Sequence, residues 1–202
     1  MNLLYPYIRF FNTSPHGGAC DFYIGNTLAV SKLGFGCLSP YMKVLSGNTM
    51  YKAAPGGRKG ENSPRLIMSQ KIGEVYTLCL IGKPNEPKFM AIKENTPRVN
   101  LEYGHLRICN LSPECGGFDV HADDNKILGD IKYGEISRYM EIRPSDYEIS
   151  LVKNKKTAVN CGRFNLKPKK FNTVYIIGLE NEIPNISCVF TTDAESYNGF
   201  YL

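Results

Sequence analysis

No stretch of this 202-residue chain approaches the roughly 18 consecutive apolar residues that a transmembrane helix needs. The opening MNLLYPYIRFF has no basic segment followed by an apolar run and a small-residue cleavage site, so it reads as a first strand and not as a signal peptide. The expectation is synthesis in the cytoplasm without a signal peptide. A place on a spore or cell surface would then need lysis, a special route or assembly inside a mother cell. Helix signals are also scarce. No window of a dozen residues keeps an i, i+3, i+4, i+7 apolar stripe, and 19 Gly with 12 Pro interrupt the chain every few residues. There is no P-loop, no G-x-G-x-x-G ahead of a helix and no D-x-[DN]-x-[DN]-G loop after Asp123-Asp124. His16, His105 and His121 have no metal-ligand spacing, and no C-x-x-C exists, so neither a metal nor a cofactor is expected. Ser14 and Ser112 lack a histidine at a repeated position. A hydrolase needs a base beside its nucleophile, so no catalytic residue is expected either.

What is present is a repetition. Residues 8–44 align without a gap on residues 106–142 at a constant offset of 98, and ten of the 37 positions are identical. Chance would give roughly two at ordinary residue frequencies. The identities are Arg9/Arg107, Asn12/Asn110, Ser14/Ser112, Pro15/Pro113, Gly18/Gly116, Asp21/Asp119, Gly36/Gly134, Ser39/Ser137, Tyr41/Tyr139 and Met42/Met140. A repeat of this length implies a tandem of two similar domains. Their expected bounds are 1–96 and 97–202, with an aromatic tail (Tyr197, Phe200, Tyr201, Leu202) closing the second.

Short β-rich runs recur between turn clusters, about eight in each half. Gly25-Asn26 and Asp123-Asp124 suit tight hairpin turns because these residues tolerate positive φ. This spacing predicts an all-β protein of two tandem antiparallel β-sandwich domains of immunoglobulin-like type, related by internal duplication. Two runs, residues 75–82 and 172–178, are apolar at nearly every position, which suggests strands covered on both faces. The other domain or a second chain is expected to cover their outer faces. Residues 94–103 read as a linker and the Gly/Pro-rich loop 55–64 as mobile.

Two local patterns occur in both halves: R-x-x-N-x-S-P-x5-D, at Arg9…Asp21 and Arg107…Asp119, and [FY]-G-x-[LI]-S-x-Y-M-x-[VI], at Phe35…Val44 and Tyr133…Ile142. Pro15 and Pro113 fix φ after the first strand, and the serines can bond the turn backbone. Arg9 and Asp21 are expected on neighbouring antiparallel strands, facing each other across the ladder. Asn12 and Asp21 can also satisfy loop amides. The set Arg9, Asn12, Ser14, Pro15 and Asp21, with Arg107, Asn110, Ser112, Pro113 and Asp119, therefore reads as a structural corner. These motifs resemble the bacterial family known as domain of unknown function 4397. Its members read R-F-x-[HN]-A-S-P, five residues, D-V-Y, then [FY]-G-x-x-S-x-Y. The resemblance implies a β-sandwich and brings no reaction, cofactor or catalytic residue.

The features that do not repeat carry the functional expectations. None of the seven cysteines stands opposite another across the aligned segment, so no disulfide framework came with the fold. They read as small buried hydrophobes; the alternative makes some of them, Cys115 and Cys161 above all, surface thiols that cross-link chains under oxidation. Residues 153–170 hold Lys153, Lys155, Lys156, Arg163, Lys167, Lys169 and Lys170 with no acid, in a chain of net charge +5. The corresponding stretch of the first half has Lys52, Arg58, Lys59, Arg65 and Lys71 against Glu61. Such a run is either a solvated strand edge or an electropositive strip for an anionic polymer. No aromatic-interleaved nucleic-acid motif accompanies it. The expected function is a non-catalytic structural or interaction protein that self-associates or meets another surface protein, in a spore or cell-surface layer. The alternative is a binding module for an anionic glycan or other cell-envelope polymer.

Overall fold

The computed structural model describes residues 5–15, 17–57, 63–83, 86–94, 100, 102–113 and 115–194. His16, Arg58, Lys59 and Glu61 of the basic loop, most of the linker and the tail aromatics Tyr197, Phe200, Tyr201 and Leu202 lie outside the described residues. The chain divides into two compact units, Met1–Asn95 and Thr96–Leu202.

The first unit contains β1 (Tyr7–Asn12), β2 (Cys20–Ile24), β3 (Thr27–Leu33), β4 (Met42–Lys43), β5 (Gly47–Pro55), β6 (Arg65–Gln70), β7 (Val75–Ile81) and β8 (Lys88–Lys93). The second contains β9 (Gly104–Asn110), β10 (Phe118–Ala122), β11 (Asn125–Ile131), β12 (Met140–Ile142), β13 (Ser145–Lys153), β14 (Lys156–Leu166), β15 (Phe171–Ile177) and β16 (Ser187–Thr192). In the first unit, sheet β4-β1-β7-β8 faces sheet β3-β2-β5-β6 across the core. The second unit repeats this as β12-β9-β15-β16 and β11-β10-β13-β14.

One pairing in each domain departs from the antiparallel expectation: β1 runs parallel to β7, and β9 parallel to β15. These are the strands whose sequences are apolar nearly throughout. Parallel neighbours lie at the centre of a sheet covered on both sides, and that burial removes the need for alternation. Both Leu78, which faces the core, and Cys79, which faces away from it, are fully buried.

The two cores use different side chains at the same places. Phe10, Phe22 and Tyr51 meet in the first, with the Phe10 and Phe22 rings stacked at 4.7 Å and Tyr51 edge-on to Phe10 at 6.1 Å. Ile108, Val120 and Ile149 hold these positions in the second. The open edge between the sheets is closed differently as well. In the first domain Phe89 of β8 packs edge-to-face on Phe22 at 6.2 Å. In the second, Cys188 of β16, which occupies the place of Phe89, is joined to Cys161 of β14 by a disulfide with Cα atoms 5.3 Å apart. Phe164 and Phe190 stack beside it at 5.0 Å. The expectation of Cys161 as an intermolecular thiol is thereby corrected. A bulge, with Gly162 opposite Ile149 and Asn160 opposite Ser150, leaves Cys161 without a ladder partner and brings it to β16.

Candidate functional site

The duplicated residues come first. Arg9 sits on the face of β1 that points away from the sandwich core, yet only 4 % of it is exposed. Its Nε donates to Thr77 Oγ1 at 2.7 Å, and its Nη2 lies 3.3 Å from Glu94 Oε1. The Thr77 hydroxyl donates to the same carboxylate at 2.6 Å, the Tyr41 hydroxyl donates at 2.8 Å, and the Tyr41 ring lies 4.6 Å under the guanidinium. The second domain rebuilds the set with Arg107, Thr173, Tyr139 and Asp193. Arg107 Nε donates to Thr173 at 2.8 Å, while Thr173 and Tyr139 each donate to Asp193 Oδ2 at 2.6 Å. Burial alone would discourage the Arg107 charge. Asp193 outweighs it and holds the guanidinium further above its ordinary range. A buried ion pair of this kind persists because every charge has a partner.

Arg9 therefore does not face Asp21. The Ser14-Pro15 corner carries the chain from one sheet to the other, so β1 and β2 are not neighbours. Asp21 instead accepts from the Lys32 amide at 2.7 Å, where Lys32 has φ of 51° in a bulge of β3. Asp119 does the same for the Asp130 amide at 2.9 Å, with Asp130 at φ of 46°. Asn12 donates to the carbonyls of Gly18 and Leu33 and accepts from the Ser14 amide. Asn110 serves Ile131 and Ser112 likewise. Ser112 Oγ donates to the Gly178 carbonyl at 2.7 Å. Ser39 and Ser137 accept from the Phe10 and Ile108 amides, both at 2.9 Å. All of these contacts are internal to a domain. None brings a nucleophile to a base.

The basic run is dispersed by the same fold. Lys153 is held by Glu180 at 2.6 Å, and a turn at Asn154-Lys155 starts β14. Lys155 and Lys156 lie at one end of that strand and Lys167, Lys169 and Lys170 beyond the other. An extended strand of this length separates the two groups by on the order of 30 Å. Arg163, between them, stands opposite Glu148. The expected strip is therefore not one patch. The thiol expectation for Cys115 is also corrected: its sulfur is buried and donates to the Ser112 carbonyl at 3.0 Å. Cys37 is the exposed free thiol among the described residues.

What the sequence did not bring together lies on the outer faces of β3-β2-β5-β6 and β11-β10-β13-β14. Each carries an open groove, and the two grooves occupy the same register. The first, about 320 Å³, is lined by Tyr23, Asn26, Lys52, Ser63 and Arg65 among others. Tyr23 pairs with Lys52 and Lys52 with Arg65 across the ladder, and Lys52 Nζ donates to Asn26 Oδ1 at 2.9 Å. The second, about 610 Å³, is lined by His121, Asp123, Asp124, Glu148, Lys155 and Asn160 among others. Here His121 pairs with Ser150 and Ser150 with Asn160. Position by position, Tyr23, Lys52 and Arg65 correspond to His121, Ser150 and Asn160; Asn26 corresponds to Asp124 and Met50 to Glu148. No described residue lining the first groove is acidic. The second has three carboxylates against Lys155. Leu28 and Ile67, beside the first groove, are 48 % and 71 % exposed.

A fully internal polar corner, built twice, beside outer faces that differ at each matched position, defines a duplicated β-sandwich whose shared residues make the fold. The chain belongs to the family described as a domain of unknown function, DUF4397, whose model matches residues 6–121 and 104–198, a tandem repeat of that domain. No curated protein matches the chain. Among solved structures, the C-terminal domain of AlgF from P. aeruginosa is 19 % identical, with 46 % of this chain and 99 % of that one covered and a TM-score of 0.34. A structure described as alpha-glucan binding by a streptococcal virulence factor is 12 % identical, with 90 % and 96 % covered and a TM-score of 0.29. At these TM-scores neither match carries an argument about this chain.

Proposed function

We propose that the protein is a non-catalytic interaction protein that self-associates through the outer faces of its groove-bearing sheets. The observation that carries this reading is the division of labour among its side chains. Every duplicated polar group described above serves its own domain, whereas Tyr23, Lys52 and Arg65, and His121, Ser150 and Asn160 at the same register, differ between the domains and line open grooves. Leu28 and Ile67 expose large apolar side chains on one such face, and exposed apolar groups on a sheet that also carries charges suit a protein partner. A layer on a spore or cell surface is a setting in which such contacts would be used. Light scattering on the full chain over a range of concentrations at low salt tests this. Mass should rise with concentration; a monomer mass throughout would overturn it.

A second reading has one observation in its favour. Among the described residues, the Lys52 ammonium in the first groove meets a neutral amide, Asn26, and no carboxylate. An anionic sugar polymer could supply that missing charge. Titration with a polyuronate, followed by Tyr fluorescence, would test it: a shift lost in Lys52→Ala supports the reading, and no shift rejects it.

A further inference from the structure

The bridge between Cys161 and Cys188 stands at an edge of the second sandwich. β14 and β16 are edge strands of the two facing sheets, so no ladder joins them, and the disulfide links the sheets there covalently. What lies on its two sides differs. Three residues further along β14 and two along β16, the Phe164 and Phe190 rings stack at 5.0 Å. In the other direction the edge stands open. A cavity of about 500 Å³ is lined there by Ala158 and Val159 of β14, by Leu179 and by Ile186 just ahead of β16, among others. The bridge thus sits between a closed half and an open half of the same edge. Both of its cysteines are only partly buried. Cys20, Cys79, Cys109 and Cys115 are buried, so among the described residues the sulfurs within reach of solution are those of the bridge and Cys37. Cys161 is also the bulge residue, outside the β13–β14 ladder, so its side chain can be released without breaking a pairing.

We propose that this bridge is a redox-sensitive latch on the second domain, opened by a small dithiol. One thiolate of the dithiol attacks a sulfur of the Cys161–Cys188 bond and forms a mixed disulfide with it, while the other cysteine leaves as a thiolate and takes up a proton. The second thiol of the reagent then displaces the remaining cysteine. Two electrons pass to the protein, which ends with two thiols, and the dithiol ends as a disulfide. The reverse exchange, with a small disulfide as oxidant, closes the latch. Both ladders, β13 with β14 and β15 with β16, survive opening because the bridge belongs to neither. The phenylalanine stack holds its half of the edge. The cavity half loses the bond that spans it and separates, uncovering Val159 and Ile186. The first domain has no such device. Its β6 pairs with β5 without a bulge, and Phe89 closes the edge on Phe22 by an apolar contact that redox agents leave alone. In the second domain Val120 and Cys188 hold those two places, so that contact is not there to replace the bridge. Opening takes place at the sandwich edge and not on the outer sheet faces, so it stands or falls apart from self-association.

Two measurements on the full chain test the latch. The protein is alkylated under native conditions before and after dithiothreitol, and the modified cysteines are mapped by mass. Cys37 should be labelled in both states, Cys161 and Cys188 only after reduction, with the circular dichroism spectrum unchanged. Amide hydrogen exchange is then compared between the two states. Residues 156–160 and 186–188 should exchange at least about tenfold faster when reduced, while residues 164–166 and 190–192 and all of β6 and β8 keep their rates. Glutathione disulfide should restore the slow exchange. Cys161→Ser with Cys188→Ser should exchange like the reduced protein whether or not reductant is present, which separates the bridge from the other thiols. A bridge that is reduced only once the protein unfolds, or thiols that no disulfide oxidant joins, would overturn the latch. So would equal exchange in the two states, or acceleration along both halves of the edge alike. Loss of protection throughout the second domain on reduction also overturns it and leaves the bridge a structural staple.

Discussion

The two domains share a frame and differ in what they attach to it. Arg9, Thr77, Tyr41 and Glu94 are matched by Arg107, Thr173, Tyr139 and Asp193, with nearly the same distances. The core filling, the closing edge and the outer face are not matched. Phe10, Phe22 and Tyr51 become Ile108, Val120 and Ile149, the Phe22–Phe89 contact becomes a disulfide, and a groove with Lys52 and Arg65 among its described lining residues becomes one with Asp123, Asp124, Glu148 and Lys155. A buried ion pair tolerates little change because a lone charge left behind is very costly. A core accepts changes of shape if volume is kept, and a solvated face accepts almost anything. The difference between the domains therefore separates the residues that build the fold from those the fold leaves free to vary.

The largest effects should be symmetric. Arg9→Met leaves Glu94 buried without its partner, and Arg107→Met does the same to Asp193; each should cost its own domain about 3–5 kcal/mol in urea unfolding. A loss in only one of the two would break the equivalence of the corners. The next effect should be one-sided. Cys161→Ser with Cys188→Ser, or reduction, should lower the second domain by about 3.5 kcal/mol for a loop of this length and leave the first unchanged. An unchanged second transition would contradict a stabilising bridge. Symmetry should return, at smaller size, with Gly82→Ala and Gly178→Ala. Both glycines have positive φ, 111° and 95°, and the backbone at Glu86 or Asn185 lies where a Cβ would go, so each substitution should cost more than about 1 kcal/mol.

The smallest effect depends on pH. His105 is fully buried and stacks on Phe171 at 4.5 Å, and its place in the first domain is held by Tyr7. Burial pushes its pKa below the ordinary 6.5, although Glu141, 3.8 Å from Nε2, pulls the other way. The unfolded chain then takes up the proton before the folded one. Its contribution to stability is present above pH 6.5 and is lost as pH falls from 6.5 toward the lowered folded value. The second domain alone should weaken in that window, and His105→Tyr should remove the weakening. A second domain that loses stability equally with His105→Tyr would assign the effect elsewhere.

Much of the frame was legible in the sequence because the offset of 98 holds from β1 through β4 and from β9 through β12. Asn12 and Asp21 could be read as amide acceptors before any strand was placed. Their partners were harder. Thr77 and Thr173 stand 96 apart and Glu94 and Asp193 stand 99 apart, so a fixed-offset comparison misses both, and the acids differ in length. The Arg9–Asp21 pairing failed because sequence neighbours at a Ser-Pro corner enter different sheets. Cys161 was illegible as a disulfide half because a bulge, not the ladder, turns it toward Cys188. The lysine run was plain in the sequence, but a long strand spreads it into separate groups. The grooves left no trace as a motif, since Tyr23, Lys52 and Arg65 share no identity with His121, Ser150 and Asn160.

Salt titration of the full chain by sedimentation velocity tests the proposed self-association through the charged sheet faces most directly. At ionic strength near 0.02 M the sedimentation coefficient should climb with protein concentration. By about 0.5 M, where the screening length has fallen to a few ångströms, it should settle at the monomer value. Association that survives undiminished at high salt, or a monomer at both extremes, would contradict self-association through those charged faces.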